Sequence, residues 1–155
     1  MRKHREVLLL LLVLAVTVAA VILNINQSNA RRVADAAISV TMSGESKRGL
    51  SREALEALPF AEREVTRTRR NGEKTQLTLR CVPLSTVLEG EHYTEVTAVA
   101  QDQFSALFTA EELAEPDNVL LYLDESGSTP VFSLAVCGDD FATRWVTDVR
   151  VLELS

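Results

Sequence analysis

Apolar and polar positions alternate along much of the chain in short runs, and those runs read as strands. Residues 37–42 (AISVTM), 94–100 (TEVTAVA) and 104–108 (FSALF) repeat with period two, as a strand with one buried face does. Residues 118–123 (NVLLYL) and 131–136 (VFSLAV) are strongly apolar and also predict strands. Residues 145–154 (WVTDVRVLEL) close the pattern, with Val146, Val149, Val151 and Leu152 as apolar members and a bulge near Asp148. Helical spacing is brief. Ser51 is placed to cap a helix over 52–58 whose Leu55 and Leu58 share a face with Leu50, and Pro59 ends it. Thr109 with Glu112 fits a capping box for a turn or two over 110–113. Residues 75–89 read as a strand, a tight corner at 81–83 and a short helix that turns Leu84, Val87 and Leu88 inward. Residues 43–47, with Gly44, read as a loop, and 101–103 as a turn. Strands dominate and helices are short and scattered, so the fold class is α+β.

One hairpin is explicit. Residues 62–70 and 73–80 flank Asn71 and Gly72, residues suited to a two-residue turn with positive φ at both positions. Such a turn pairs Arg70 with Glu73. It sets Arg63, Val65, Arg67 and Arg69 opposite Arg80, Thr78, Gln76 and Lys74 on one face. Thr66 and Thr68 then lie opposite Leu77 and Thr75 on the other, with Leu79 beyond. The leucines demand the interior, so Arg63, Arg67, Arg69, Lys74 and Arg80 are expected to share an outward face able to hold an anion. Like charges directly across the ladder oppose pairing.

The N-terminus changes the picture. Residues 7–23 carry no charge and follow Arg2, Lys3, His4 and Arg5. The run suits a single membrane-spanning anchor with the basic end in the cytoplasm and the remainder outside. Ser28 and Ala30 also suit a cleavage site before Arg31, which would release the domain. Residues 1–30 are thus assigned to anchor and linker and 31–155 to one extracytoplasmic domain with its own core. The whole chain of 155 residues carries a formal charge of −6, and residues 31–155 carry −8, which argues against nucleic-acid binding. Residues 81–143 hold 12 Asp or Glu and no Lys or Arg, so the basic residues concentrate in 63–80.

Candidate chemistry is sparse. His92 sits in a polar stretch, EGEHYTE, and reads as a solvated loop residue. Asp139 and Asp140 are adjacent and read as turn residues, since calcium needs six or more oxygens. No glycine-rich nucleotide loop or nucleophile elbow occurs.

The order of pieces resembles the oxidoreductase molybdopterin-binding domain of the sulfite-oxidase type. LSREALEALPF, a two-stranded segment and CVPLSTVLEG are similar to the start of that family's pattern. AVAQDQFSALFTAEEL, DNVLLYLDESGSTP and TRWVTDVRVLEL follow in the family's order, with Asp102, Phe104 and Trp145 in its acidic and aromatic places. The resemblance covers residues 38–154 and implies a mixed, strand-rich fold around a cofactor cleft. It also marks departures. The family's molybdenum-ligating cysteine falls in the region matching residues 65–72, which has no cysteine, and Cys81 stands where the family has glycine. Gln103 replaces another family glycine. The only two cysteines, Cys81 and Cys137, flank strands near the family's cleft. Outside the cytoplasm they could form a disulfide worth about 4 kcal/mol; two buried free thiols are the alternative.

Taken together, the apolar N-terminal run, the resemblance and its departures lead to the expectation of a membrane-anchored module of this fold that binds or supports rather than catalyses, with no cofactor or metal expected. Its partners would be the membrane, through residues 7–23, and an anionic envelope component or acidic protein. Two alternatives stand beside it. One is an oxidoreductase or accessory subunit that holds molybdopterin without a cysteine ligand. The other is an envelope module that grips anionic polymers or lipids through the basic hairpin.

Overall fold

A computed structural model describes residues 17–19 and 37–155. The expected anchor over 7–23, the linker and the cleavage site at Ala30 lie outside the described residues, save for helical residues 17–19. Among the described residues no helix is long and apolar enough to cross a membrane. The compact unit Ala36–Ser155 carries the fold below.

The class is α+β, with nine strands and three helices of four or five residues among the described residues. Strands β1 (Ile38–Met42), β2 (Glu45–Leu50), β5 (Glu95–Ala100), β6 (Ser105–Thr109) and β9 (Val149–Leu154) form one sheet in the order β2-β1-β9-β5-β6. Strands β3 (Ala61–Thr68), β4 (Lys74–Pro83), β7 (Val119–Asp124) and β8 (Val131–Val136) form the second, in the order β3-β4-β7-β8. Among the described residues only β1 and β9 pair in parallel. One core takes a face of each sheet: Ile38, Val96, Phe108 and Leu152 of the first meet Val82, Leu121, Phe132 and Leu134 of the second.

Helix α1 (Arg52–Glu56) starts as its sequence dictates, with the Ser51 hydroxyl accepting from Ala54 N–H and Leu55 turned into the core. Helix α2 (Leu84–Val87) buries Leu84 and Val87, and Leu88 follows them inward. Helix α3 (Ala110–Ala114) carries the reciprocal Thr109–Glu112 capping box.

Four expectations require correction. Residues 43–47 are not a loop: Ser43 and Gly44, at φ 53 and 78, make a two-residue hairpin turn, and the polar run ESKRGL continues as edge strand β2. Alternation is absent there because an edge strand needs only one partner and little burial. The segment 81–83 is not a corner outside the strand. It is the end of β4, where Cys81, Val82 and Pro83 leave β3 and pair with Tyr122, Leu121 and Leu120 of β7. The last strand begins at Val149 rather than residue 145. Val146 instead exchanges two hydrogen bonds with Leu134 of β8, 2.7 and 3.1 Å, and Asp148 at φ 55 separates the two stretches. That bridge covers the free side of β8.

The fourth correction concerns the hairpin register. Gly72 takes φ 83, Gly72 N–H donates to Arg69 O (2.8 Å) and Arg69 N–H to Glu73 O (2.9 Å). Arg70, Asn71 and Gly72 therefore form a three-residue loop, a turn closed by a left-handed glycine. Asn71 Oδ1 accepts from Glu73 N–H at 3.0 Å and holds it. The extra residue slips every pair by one: Arg63 faces Leu79, Val65 faces Leu77, and Thr68 faces Lys74.

The leucine face does turn inward, against the second side of the second sheet. Val65, Leu77 and Leu79 cluster with Cys81, Leu120, Ala135, Tyr122 and Trp145. The β3–β4 ribbon therefore bends where β4 changes partners and lies across that sheet. Ala142 N–H donates to Thr68 O (2.8 Å) and ties down the ribbon's tip. Sheet strands β7 and β8 are apolar on both faces for this reason.

Candidate functional site

The tip of the ribbon carries several arginines close together in sequence, Arg67, Arg69 and Arg70. The five cations expected on one face are divided by the register. Arg63 and Arg67 share the side of Val65 and the leucines, Lys74 and Arg80 take the opposite side, and Arg69 lies past the last strand pair. Their shared outward face does not form, because Gly72 adds a residue to the loop.

A different set converges. Arg67, Arg69 and Arg70 line one cavity of about 270 Å³ together with Ala142 and Thr143. The Thr68–Ala142 hydrogen bond brings the loop and the ribbon together. Arg67 is placed by Trp145, with its guanidinium carbon 5.2 Å from the ring centroid. Trp145 is itself fixed: Nε1–H donates to Val136 O at 3.0 Å, and the ring meets Tyr122 edge-on at 6.4 Å. Arg69 pairs with Glu73 at 2.9 Å, an exposed pair of small worth. Among the described residues neither Arg67 nor Arg70 has a carboxylate partner. Sequence reasoning missed Arg70, because a two-residue turn assigns it to the strand end opposite Glu73. Thr143 and Trp145 also line a neighbouring cavity of about 270 Å³ with Ala100, Asp102, Phe104 and Thr147. Two of the resemblance's three matched positions, Asp102 and Phe104, thus stand beside the third, Trp145.

The acidic body supplies an ionic cluster of its own around Arg144. Arg144 donates to Asp139 through Nε (2.8 Å) and Nη2 (2.5 Å), to Glu112 through Nη2 (2.7 Å) and to Leu107 O through Nη1 (2.9 Å). Asp139 and then Glu112 hold the Arg144 guanidinium above its ordinary pKa. The Arg144 hydrogen bond, followed by the Thr109 N–H, holds Glu112 below the usual carboxylate value. Leu107 lies on β6, an edge strand, so this cluster occupies backbone that would otherwise be open to another chain. Asp139 is thus more than a turn residue. His92 is exposed.

Cys81 and Cys137 are both free thiols. Cys81 lies opposite Tyr122 of β7, and Cys137 N–H donates to Asn118 O at 2.7 Å just beyond β8. Strand β7 therefore stands between their backbones, and they lie against β7 at Tyr122 and beside it at Asn118, four residues apart. The separation exceeds the two strand spacings of about 10 Å, where a disulfide needs Cα atoms within about 7 Å. Burial raises both thiol pKa values, Cys81 adds to the rise at Cys137, and Arg63 opposes it at each. A protonated thiol is a poor metal ligand. Residues 65–72, where the resemblance calls for a ligating cysteine, hold the arginines of the tip instead. Among the described residues no three His, Cys, Asp or Glu side chains gather as a metal site would need.

No family model matches the chain, and no curated protein matches it.

Proposed function

We propose that this chain is a non-catalytic binding module of the sulfite-oxidase-like molybdopterin-binding fold, held outside the cytoplasm by residues 7–23. In this reading it takes up an anionic group of the cell envelope at the ribbon tip. The observation that carries it is the convergence of Arg67, Arg69 and Arg70 on one concavity. Three guanidinium groups brought together repel one another, and an anion between them relieves that repulsion. The planar fork of arginine suits phosphate and carboxylate, to which it can donate two parallel hydrogen bonds. The strongly acidic remainder of the domain repels anions elsewhere and confines them to the tip.

Trp145 is the only tryptophan in the chain and lies beneath Arg67, so it reports directly on the site. The full-length chain titrated with soluble inorganic polyphosphate should show a saturable change in tryptophan emission at low salt. The change should weaken sharply as the ionic strength approaches about 1 M, where screening acts within about 3 Å. Emission that stays constant at every salt concentration contradicts the proposal.

A further inference from the structure

A second cavity lies on the opposite side of the β4 bend, away from the arginine tip. It encloses about 320 Å³ and is lined by Glu56, Phe60, Arg80, Leu123, Glu125 and Phe132. Strand register explains the floor. Cys81 faces Tyr122, so Arg80, one residue earlier, comes beside Leu123, one residue later, and Leu123 faces Phe132 on β8. These side chains lie in a row across the sheet where the shared core ends.

Helix α1 and the segment after it form the wall. Arg52 straps that wall to the β7–β8 connection: Nη1 and Nη2 both donate to Pro130 O at 3.2 Å, and the guanidinium lies 5.7 Å from the Phe132 ring centroid. Its Nε donates to Glu56 Oε1 at 2.8 Å, and among the described residues the other carboxylate oxygen of Glu56 takes no side-chain hydrogen bond. Arg80 lies over Phe60, 5.8 Å from the centroid. Glu125 sits in a turn locked by Asp124, whose Oδ1 accepts from Ser126 N–H at 3.0 Å and from Ser126 Oγ at 2.6 Å.

The charges in this cavity are complementary rather than alike. Among the described residues Arg80 and Glu125 have no ionic partner, and Glu56 is already balanced by Arg52. A lone cation would leave Arg80 unanswered, and a lone anion would leave Glu125 unanswered. A ligand that carries both charges on an apolar body answers each group, and the aromatic floor receives the body. The volume lies at the small end of ligand cavities.

We propose that this cavity binds a free α-amino acid with a large apolar side chain. Its carboxylate meets Arg80, its ammonium meets Glu125 and that other oxygen of Glu56, and its side chain packs on Phe60, Leu123 and Phe132. The site is independent of the arginine tip, so either can fail without the other.

The test uses the full-length chain and calorimetry with L-leucine and L-phenylalanine as probes. N-acetyl-leucine lacks the ammonium, leucinamide lacks the carboxylate, and alanine lacks the apolar body. Each should bind at least about tenfold more weakly than leucine, the loss expected for one unanswered charged or apolar contact. Arg80→Gln should remove the preference for leucine over leucinamide, and Glu125→Gln the preference over N-acetyl-leucine. Both side chains are exposed, and unchanged Trp145 emission verifies the fold of each variant. Equal binding of leucine and its blocked derivatives overturns the proposal. So does the absence of leucine and phenylalanine binding up to about 10 mM.

Discussion

The guanidinium of Arg67 lies over the ring of Trp145, 5.2 Å from its centroid, although one residue is on the β3–β4 ribbon and the other follows β8. The contact exists because the ribbon bends across the second sheet and places its leucines on Leu120 and Ala135. Trp145 anchors the arrangement from below through its hydrogen bond to Val136 O. Trp145→Phe keeps an aromatic ring but removes that hydrogen bond and weakens the cation–π contact. It should lower stability by about 1–2 kcal/mol, read by circular dichroism in denaturant. A variant as stable as the parent would show that the ribbon is held by other contacts.

Two glycines should behave differently when replaced. Gly72, at φ 83, has open space around its missing side chain, so Gly72→Ala should cost only the backbone strain, about 1–2 kcal/mol. Gly138 has ordinary φ, but a methyl group there would run into the Asn118 side chain, which donates to Glu112 O at 3.1 Å. Gly138→Ala should therefore cost about 1–3 kcal/mol by overpacking and disturb α3 as well. Unfolding curves of the two variants test both, and wild-type stability in Gly138→Ala would refute the packing at that position.

Much of the fold was legible because burial in a strand leaves a period that sequence retains. The runs that became β5, β6, β7 and β8 were read within a residue or so, and the caps at Ser51 and Thr109 formed as their side chains predict. Strand β2 was hidden because its polar residues bury almost nothing. The ribbon register was hidden because Asn71 and Gly72 serve a two-residue or a three-residue loop equally well, and only the burial of Val65 decides between them. The site was less legible still. Arg70 joins Arg67 through that one-residue slip, and Arg144 meets Glu112 through tertiary contact, which no local spacing encodes.

Acid should act through Glu112. Its folded pKa is held below the ordinary 4.5 by Arg144 and the Thr109 N–H, so its contribution is complete above that value. The contribution is then lost as pH falls through the lowered folded value. Glu112→Gln keeps the capping oxygen and removes the charge. Between about pH 5 and about pH 3 the variant should lose less stability than the parent. Parallel pH profiles would exclude Glu112 as a source of acid sensitivity.

The thiols should remain reduced. Intact mass measured without reductant should equal that of the chain with two free thiols. Cys137, which is exposed, should alkylate in the native protein, and more readily at alkaline pH, where more of the thiol is ionised. Cys81, at 1% exposure, should react only after denaturation. A mass lower by two hydrogens would contradict the strand order that keeps β7 between them.

The most direct measurement compares two charge reversals of equal size, Arg70→Glu in the tip cavity and Lys74→Glu on the other side of the ribbon. Each changes the net charge identically, and polyphosphate binding is followed by Trp145 emission in the full-length chain. If the anion is held between Arg67, Arg69 and Arg70, Arg70→Glu should weaken binding by at least about tenfold. Lys74→Glu should change it by no more than about twofold. Equal weakening by both would show that anions respond to diffuse charge rather than to this cavity, and no weakening by Arg70→Glu would remove the site.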